Sequence, residues 1–384
     1  MDEAPQTDKY EKLCEGWASS CSTQLCDLPD GVLIHILSFL GLKKAVTTTV
    51  LSKRWKSLWA FIPNLAVSQC DFPERPLFLD FVGRAFALRD GSSLKTFSLS
   101  CDILEDAPLI IEWVSFAFMH NVKVLNLYLE KPGSPYDTYV LDFFIRSESL
   151  KKLSLDLPCV IVIPSWVSFP NLKKLSVSEI IFVDVNSIEK LFSCSSLDSL
   201  SIYRCKWRNL NNICISAPNL QFLDIDETIN DDDINFDEVG FTFQDALSYD
   251  RRVYINGASL KTFMYNGELI NDICILGDTT KLVERAQINI CRLYEAAQDI
   301  IVPRGFKLLS AVANVKELIL TDDFLKDLAA GDELFNTLPM FCNLSDLSVE
   351  WSLDPVSFRI FSMILRRSPR LRSLSFSEVY PVYH

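Results

Sequence analysis

Histidine is the side chain best suited to moving protons near neutral pH, and this chain has three, His35, His120 and His384. His35 lies in an apolar stretch near the start, His120 precedes a strand-like segment, and His384 is the last residue. Nucleophilic catalysis needs a base held beside a Ser or Cys, and none of the three has such a partner at a motif spacing. Twelve cysteines are scattered without a C-x-x-C pair, so they read as small buried hydrophobes rather than zinc ligands. The stretch Asp224 to Glu238 holds eight carboxylates in fifteen residues. Within it Asp231, Asp233 and Asn235 imitate the opening of a calcium loop. Phe236 stands where the tight turn needs Gly, however, and Thr242 where the closing Glu belongs. A solvated acidic loop is the expectation, with a lid over a binding face as the sharper reading. Arg204, Lys206, Arg208 and the pair Arg251-Arg252 could meet a phosphate or another small anion. The basic run from Arg366 to Arg372 reads as a solvated last helix. No Gly-rich phosphate loop occurs. The chain is expected not to be an enzyme and to need no metal or cofactor, so its residues must work by binding.

The elements that would position binding residues follow from the chain as a whole. At 384 residues, a small module joined to a larger or repetitive domain is expected. A hydrophobic content of 49% is ample for a core. The net charge of −13 argues against nucleic acid, which needs a clustered basic face. The polar start MDEAPQTDKYEK lacks a signal pattern, and no apolar run reaches the roughly 18–20 residues that span a bilayer. An intracellular chain in the nucleus and/or cytoplasm, without a membrane partner, is expected, with residues 1–24 as a flexible tail.

The stretch LPDGVLIHILSFL, Leu28 to Leu40, carries helix signals yet is apolar nearly all round. Pro29 suits a first turn and Asp30 complements the dipole. A helix on the surface of its own domain shows one apolar stripe, so this one must be covered on several sides. Gly41 stops it, and Leu42 to Trp59 resumes an amphipathic pattern expected to bend or break near Ser52. The β-branched run Val46 to Val50 is poor helix material. Lys53, Arg54 and Lys56 look solvated, while Trp55 and Trp59 are anchors. So small a unit buries too little area alone, which leaves two readings from the pattern itself: a hairpin capping the following domain, or a module completed by another protein.

Three blocks in this region resemble an F-box of the kind found in plant F-box/leucine-rich-repeat proteins. They are Leu28-Pro29-Asp30, Ile36-Leu37-Ser38-Phe39-Leu40 and Val50-Leu51-Ser52-Lys53-Arg54-Trp55. The resemblance implies docking to a Skp-type adaptor and through it to a cullin. It makes Leu28, Pro29, Leu33, Ile36, Leu37, Val50, Leu51 and Trp55 the adaptor-facing and interface-shaping candidates. Gly31 stands where many relatives carry an acidic residue. By the same resemblance, residues 25–62 form the F-box. Met340 to Glu378 resembles the segment preceding the FBD domain of many members.

Beyond residue 90 a Leu-x-x-Leu-x-Leu pattern recurs, from Leu94-Phe97-Leu99 to Leu371-Leu374-Phe376. It includes a degenerate copy at Val283-Ala286-Ile288. Eleven copies are separated by ten steps averaging about 28 residues, at the long end of the leucine-rich-repeat range. A period of two puts the fourth and sixth positions of each copy in a core and the third, fifth and seventh on the opposite face. The expected fold is therefore α/β. A small helical module is followed by a leucine-rich-repeat solenoid over 63–384, with a curved parallel sheet inside and helices outside. Stretches such as DTYVLDFFIRSES and DPVSFRIFSMILRRS have helical spacing, and an acidic insertion falls near 226–250. Tyr128, Asp156, Tyr203, Asp224, Asp226 and Glu350 fall on outward strand positions and are the client-binding candidates, with Tyr supplying area and the acids steering a basic partner. The resemblance implies a substrate-recognition subunit of a Skp–cullin–F-box ubiquitin ligase holding a client protein. The alternatives are an adaptor-bound scaffold or a small-molecule sensor acting through the repeat face.

Overall fold

The structure is a computed structural model. It describes residues 25–89, 91–103, 107–130, 147–164, 166–228, 251–277, 279–290, 298–350 and 355–377. The chain divides into two compact units, Met1–Leu94 and Lys95–His384.

In the first unit, helices α1 (Asp30–Leu37), α2 (Leu42–Thr47) and α3 (Trp55–Leu58) precede strand β1 (Asn64–Ser68) and helix α4 (Arg75–Ala87). Pro29 flanks α1 in extended backbone, and its carbonyl accepts from the amides of Val32 at 3.0 Å and Leu33 at 3.1 Å. The β-branched run takes effect earlier than the sequence suggested. Regular helix stops at Thr47 and a 3₁₀ turn covers Thr48–Val50, because branched side chains crowd the preceding turn. The core of this unit includes Leu33, Leu37, Leu42, Ala45, Trp55, Leu58, Trp59, Phe78 and Val82.

The second unit is built on eleven parallel strands. In order across the sheet they are β2 (Thr96–Asp102), β3 (Val124–Glu130), β4 (Lys152–Asp156), β6 (Lys174–Ser178), β8 (Ser199–Tyr203) and β11 (Phe222–Asp226). Then come β13 (Thr262–Gly267), β15 (Arg285–Ile290), β16 (Glu317–Thr321), β17 (Asp346–Glu350) and β18 (Ser373–Ser377). One register runs through them all. Phe97, Leu125, Leu153, Leu175, Leu200, Leu223, Phe263, Ala286, Leu318, Leu347 and Leu374 are successive partners. The degenerate copy joins that line because Ala286 is simply a smaller buried side chain. Each copy buries its apolar face only against its neighbours, as a stacked repeat must.

The wall connecting the strands is helical only in part. Helices α5 (Ala107–Met119), α6 (Val185–Phe192), α7 (Thr279–Leu282), α8 (Gln298–Ala311), α9 (Asp322–Ala329) and α10 (Ser357–Arg366) lie in it. The expected helix DPVSFRIFSMILRRS is α10, while most of DTYVLDFFIRSES lies outside the described residues. In the middle repeats short strands take over. Strands β5 (Val160–Ile161), β7 (Ile181–Phe182) and β9 (Lys206–Trp207) form one three-stranded sheet. Strands β10 (Asn212–Ile215), β12 (Arg252–Ile255) and β14 (Asp272–Ile275) form another. Repeat length accounts for five of these six strands, the exception being β12, which lies in the 40-residue step from Leu220 to Leu260. The step from Leu150 to Leu172 is 22 residues and from Leu197 to Leu220 is 23, against 32 from Val283 to Val315. Short steps leave no room for several helical turns, and their Val- and Ile-rich connections favour extended backbone.

Candidate binding surfaces

Helix α1 has two apolar faces, each set by helical spacing. Leu33 and Leu37, four residues apart, are sealed in the core, Leu33 with 0% of its surface exposed. Val32, Ile36 and Phe39 line the other side and remain open, Phe39 with 76% exposed. The turn after α2 adds Val50 at 85% and Leu51 at 62%. A single exposed Leu means little, but five large apolar residues open to solvent on one small helical module make it a candidate interaction surface.

The eight adaptor candidates therefore take two places. Ile36, Val50 and Leu51 are exposed, and Pro29 is open at the helix start. Leu28 is half-buried, while Leu33, Leu37 and Trp55 lie in the core behind that face. Sequence reasoning missed Arg54, which it took as solvated. Its guanidinium donates to Asp30 Oδ1 at 2.7 Å and to the Leu28 carbonyl at 2.6 Å, tying the start of α1 to the start of α3. That pairing links the first and third sequence blocks, though no spacing along the chain announces it. Phe39 and Val32 were also passed over, and the i, i+4, i+7 spacing with Ile36 was the available signal.

The second surface is the sheet face opposite the buried register. Its middle row reads Ser98, Asn126, Ser154, Ser176, Ser201, Asp224 and Met264 over the first seven of these strands. These residues stay partly accessible while their strand neighbours are buried. Tyr128 is exposed and Asp156 half-buried. The other client candidates are already engaged with the protein itself. Tyr203 donates to Asp224 Oδ2 at 2.9 Å. Burial, aided by the Asp224 charge, pushes the phenol up to about 12, and burial also raises the Asp224 carboxyl. Asp226 accepts from Asn266 Nδ2 at 2.8 Å and from the amide and hydroxyl of Thr228. Glu350 is buried, Gln287 reaches it only at 3.4 Å, and its carboxyl is raised by that burial.

Beside this row a buried network closes over Glu227. Tyr265 Oη donates to Glu227 Oε2 at 2.9 Å, and Asn271 Nδ2 donates to Oε1 at 2.6 Å. Tyr265 Oη in turn accepts from the Leu269 amide at 2.8 Å. Arg251, an anion candidate from sequence, is buried and spends its Nε on the Leu210 carbonyl at 2.8 Å. Arg204 pairs with Glu179 at 2.7 Å and Arg252 approaches Asp272 at 4.0 Å, so the basic residues read as one cluster are spread over separate structural tasks. The acidic segment between Ile229 and Asp250 lies outside the described residues. Among the described residues no group of three His, Cys, Asp or Glu could hold a metal ion, and no helix is long and apolar enough to cross a membrane.

The F-box domain family matches residues 25–64. F-box protein At3g59000 of Arabidopsis thaliana is 32% identical over 90% of this chain and 72% of its own length. F-box/LRR-repeat protein At3g59190 of the same plant is 29% identical over 92% of each chain. F-box/FBD/LRR-repeat protein At2g04230, also from Arabidopsis thaliana, is 26% identical over 93% of this chain and 75% of its own. With an F-box match over the apolar helical module and an eleven-strand repeat sheet after it, the chain belongs to the plant F-box/leucine-rich-repeat family.

Proposed function

We propose that this protein is a substrate receptor of a Skp–cullin–F-box ubiquitin ligase. The observation that carries the reading is the open apolar face of Val32, Ile36, Phe39, Val50 and Leu51 on the F-box module. A Skp-type adaptor covers that face, and the adaptor connects the chain to a cullin. Leu33, Leu37 and Trp55 act from behind by holding the face in shape. The repeat sheet binds a client protein through its polar face, with Tyr128 and Asp156 as accessible contacts. The mechanism is positional. Tethering the client near the charged ubiquitin-conjugating enzyme raises its effective concentration, so transfer becomes intramolecular in effect. The receptor contributes no bond-making chemistry.

The test compares wild type with a Val50→Asp/Leu51→Asp variant in affinity capture with the proteasome blocked. Wild type is expected to bring down adaptor and cullin together, and the variant to lose both while keeping clients bound. Adaptor binding of unchanged strength in the variant overturns the site. Adaptor capture without cullin, under conditions that preserve known complexes, overturns the ligase and leaves an adaptor-bound scaffold.

A further inference from the structure

The edge where the first repeat strands begin is lined with lysine. Lys95, Lys123, Lys151 and Lys173 each stand next to the first residue of β2, β3, β4 and β6. Backbone bonds lock them side by side. The Lys95 carbonyl accepts from the amides of Lys123 at 3.1 Å and Val124 at 2.9 Å. The Lys123 carbonyl accepts from Lys151 at 2.8 Å and Lys152 at 3.1 Å, and the Lys151 carbonyl from Lys173 at 2.8 Å and Lys174 at 3.1 Å. Neighbouring strands are about 4.8 Å apart, so the four span roughly 14 Å. Lys152 and Lys174 are register partners in β4 and β6, on the same face as Ser154 and Ser176. All six lysines are exposed.

Such an arrangement is unfavourable in the free protein, because like charges on adjacent strands repel. Further along the same sheet the problem is solved by pairing. At the equivalent positions of β15 and β16, Lys316 meets Glu284 at 3.1 Å and Arg285 meets Glu317 at 3.3 Å. Among the described residues, none of the six lysines has a carboxylate in ion-pairing range. The carboxylates of Asp102, Glu130 and Asp156 sit at the far ends of these strands. They lie four to seven positions along extended chain from the lysines of the same strand, roughly 13–23 Å, beyond a Debye length of about 8 Å at physiological salt. They do not cancel the strip. In a chain of net charge −13 it is a local positive band whose repulsion is relieved on the edge only at its Asp198 end.

We infer that this band docks an extended peptide segment bearing oxyanions, either carboxylates or phosphates, on a partner protein. An extended chain places alternate side chains about 6.6 Å apart on one face. Four or five residues thus cover the strip, within reach of flexible lysine heads. Ser98, Ser154 and Ser176 lie beside them as hydroxyl donors. A nucleic acid fits less well. Its charge continues past the strip, where Asp198 takes the next place on the edge after Lys173 and Gln221 the one after that. The inference rests on the proposed use of the repeat sheet as a client surface, and it names the chemistry of one such contact.

The test uses the purified full chain and four fluorescent probes: hexaglutamate, hexaglutamine, a peptide alternating phosphoserine with alanine, and a twelve-nucleotide oligothymidine. Wild type is expected to bind at least one anionic peptide at least tenfold more tightly than hexaglutamine, and more tightly than the oligonucleotide. The better of the two anionic peptides identifies the source of the charge. A Lys95→Gln/Lys123→Gln/Lys151→Gln/Lys173→Gln variant is expected to lose tenfold or more of that affinity. A Lys261→Gln/Lys316→Gln control should stay within twofold of wild type. Peptide affinity unchanged in the quadruple variant, or an oligonucleotide that binds best, overturns the inference. Adaptor capture is measured on the same samples. A urea melt of the same samples that matches wild type shows that the repeat unit of the quadruple variant is folded, and absence of adaptor capture from wild type counts against the ligase reading separately. Should the quadruple variant fail that melt, Lys152→Gln/Lys174→Gln replaces it, with at least a threefold loss expected and no change overturning the inference.

Discussion

Two substitutions of similar chemistry in the F-box module should separate folding from docking. Leu33 is fully enclosed, while Val50 has 85% of its surface open. Leu33→Ala removes three buried carbon atoms and leaves a cavity. Comparable core truncations cost about 3–5 kcal/mol, a large share of the 5–15 kcal/mol that stabilises an ordinary domain. Val50→Ala deletes two carbons that the free protein leaves in water, so its folding cost is expected within about 0.5 kcal/mol. In the adaptor complex the ranking inverts for Val50, because burying a Val side chain contributes about 1.5–3 kcal/mol and most of that is lost with the methyls. The readout is hydrogen exchange resolved by peptide over residues 30–62, beside titration with purified adaptor. Leu33→Ala should lower amide protection there by a factor of about 100 to 4,000, taking 1.4 kcal/mol per tenfold. Val50→Ala should leave protection within about threefold and weaken adaptor binding by about tenfold or more. Equal loss of protection in the two variants, or an adaptor affinity indifferent to Val50, would refute the division of α1 and its turn into a packed and a docking face.

Other features yield sharp expectations. A methyl on Gly331 would collide with Val302 Cγ1 and stand 3.3 Å from the Phe306 ring, so Gly331→Ala should destabilise the second unit by about 1–3 kcal/mol in urea melts. Asp184 caps α6, accepting from the Ser187 amide at 2.8 Å, while Ser187 Oγ accepts from the Ile163 amide. Asp184→Ala should cost about 1–2 kcal/mol by the same measurement. Burial raises the Glu227 carboxyl, opposed by bonds from Asn271 and Tyr265 and by the Arg251 charge. A carboxyl raised on folding binds more protons in the folded state, so its contribution falls as pH rises from its unfolded value of about 4.3 through the raised one, then levels. Glu227→Gln should flatten that part of the stability–pH curve, and an unchanged slope would remove Glu227 as its source.

What the sequence made legible depended on how local each feature is. The repeat triplets from Leu94 to Phe376 are short-range patterns with a period of two, and all eleven pair in one register. The two small outer sheets were harder to see, because Val and Ile runs such as Cys159 to Ile163 suit a buried helix or a strand equally well until repeat length is considered. Through-space partners were not legible at all. Arg54 bonds across 24 residues to Asp30, Tyr203 is claimed by Asp224 in the next repeat strand, and Glu350 is covered although its strand position points outward. For α1, periodicity showed that both sides are apolar. Only coordinates distinguish the side holding Leu33 from the side holding Phe39.

The last strand of the stack carries a further consequence. Leu374 and Phe376 continue the sealed register of Leu347 and Val349, yet they are 43% and 55% exposed, since β18 has a neighbour on one side only among the described residues. The cost of a polar substitution should therefore depend on the layer in which it falls. A charge placed at Leu347 or Val349 has to be stripped of water, whereas a long side chain at Leu374 or Phe376 keeps its head in solvent. Leu374→Lys/Phe376→Lys should accordingly lower stability far less in urea melts than Leu347→Lys/Val349→Lys.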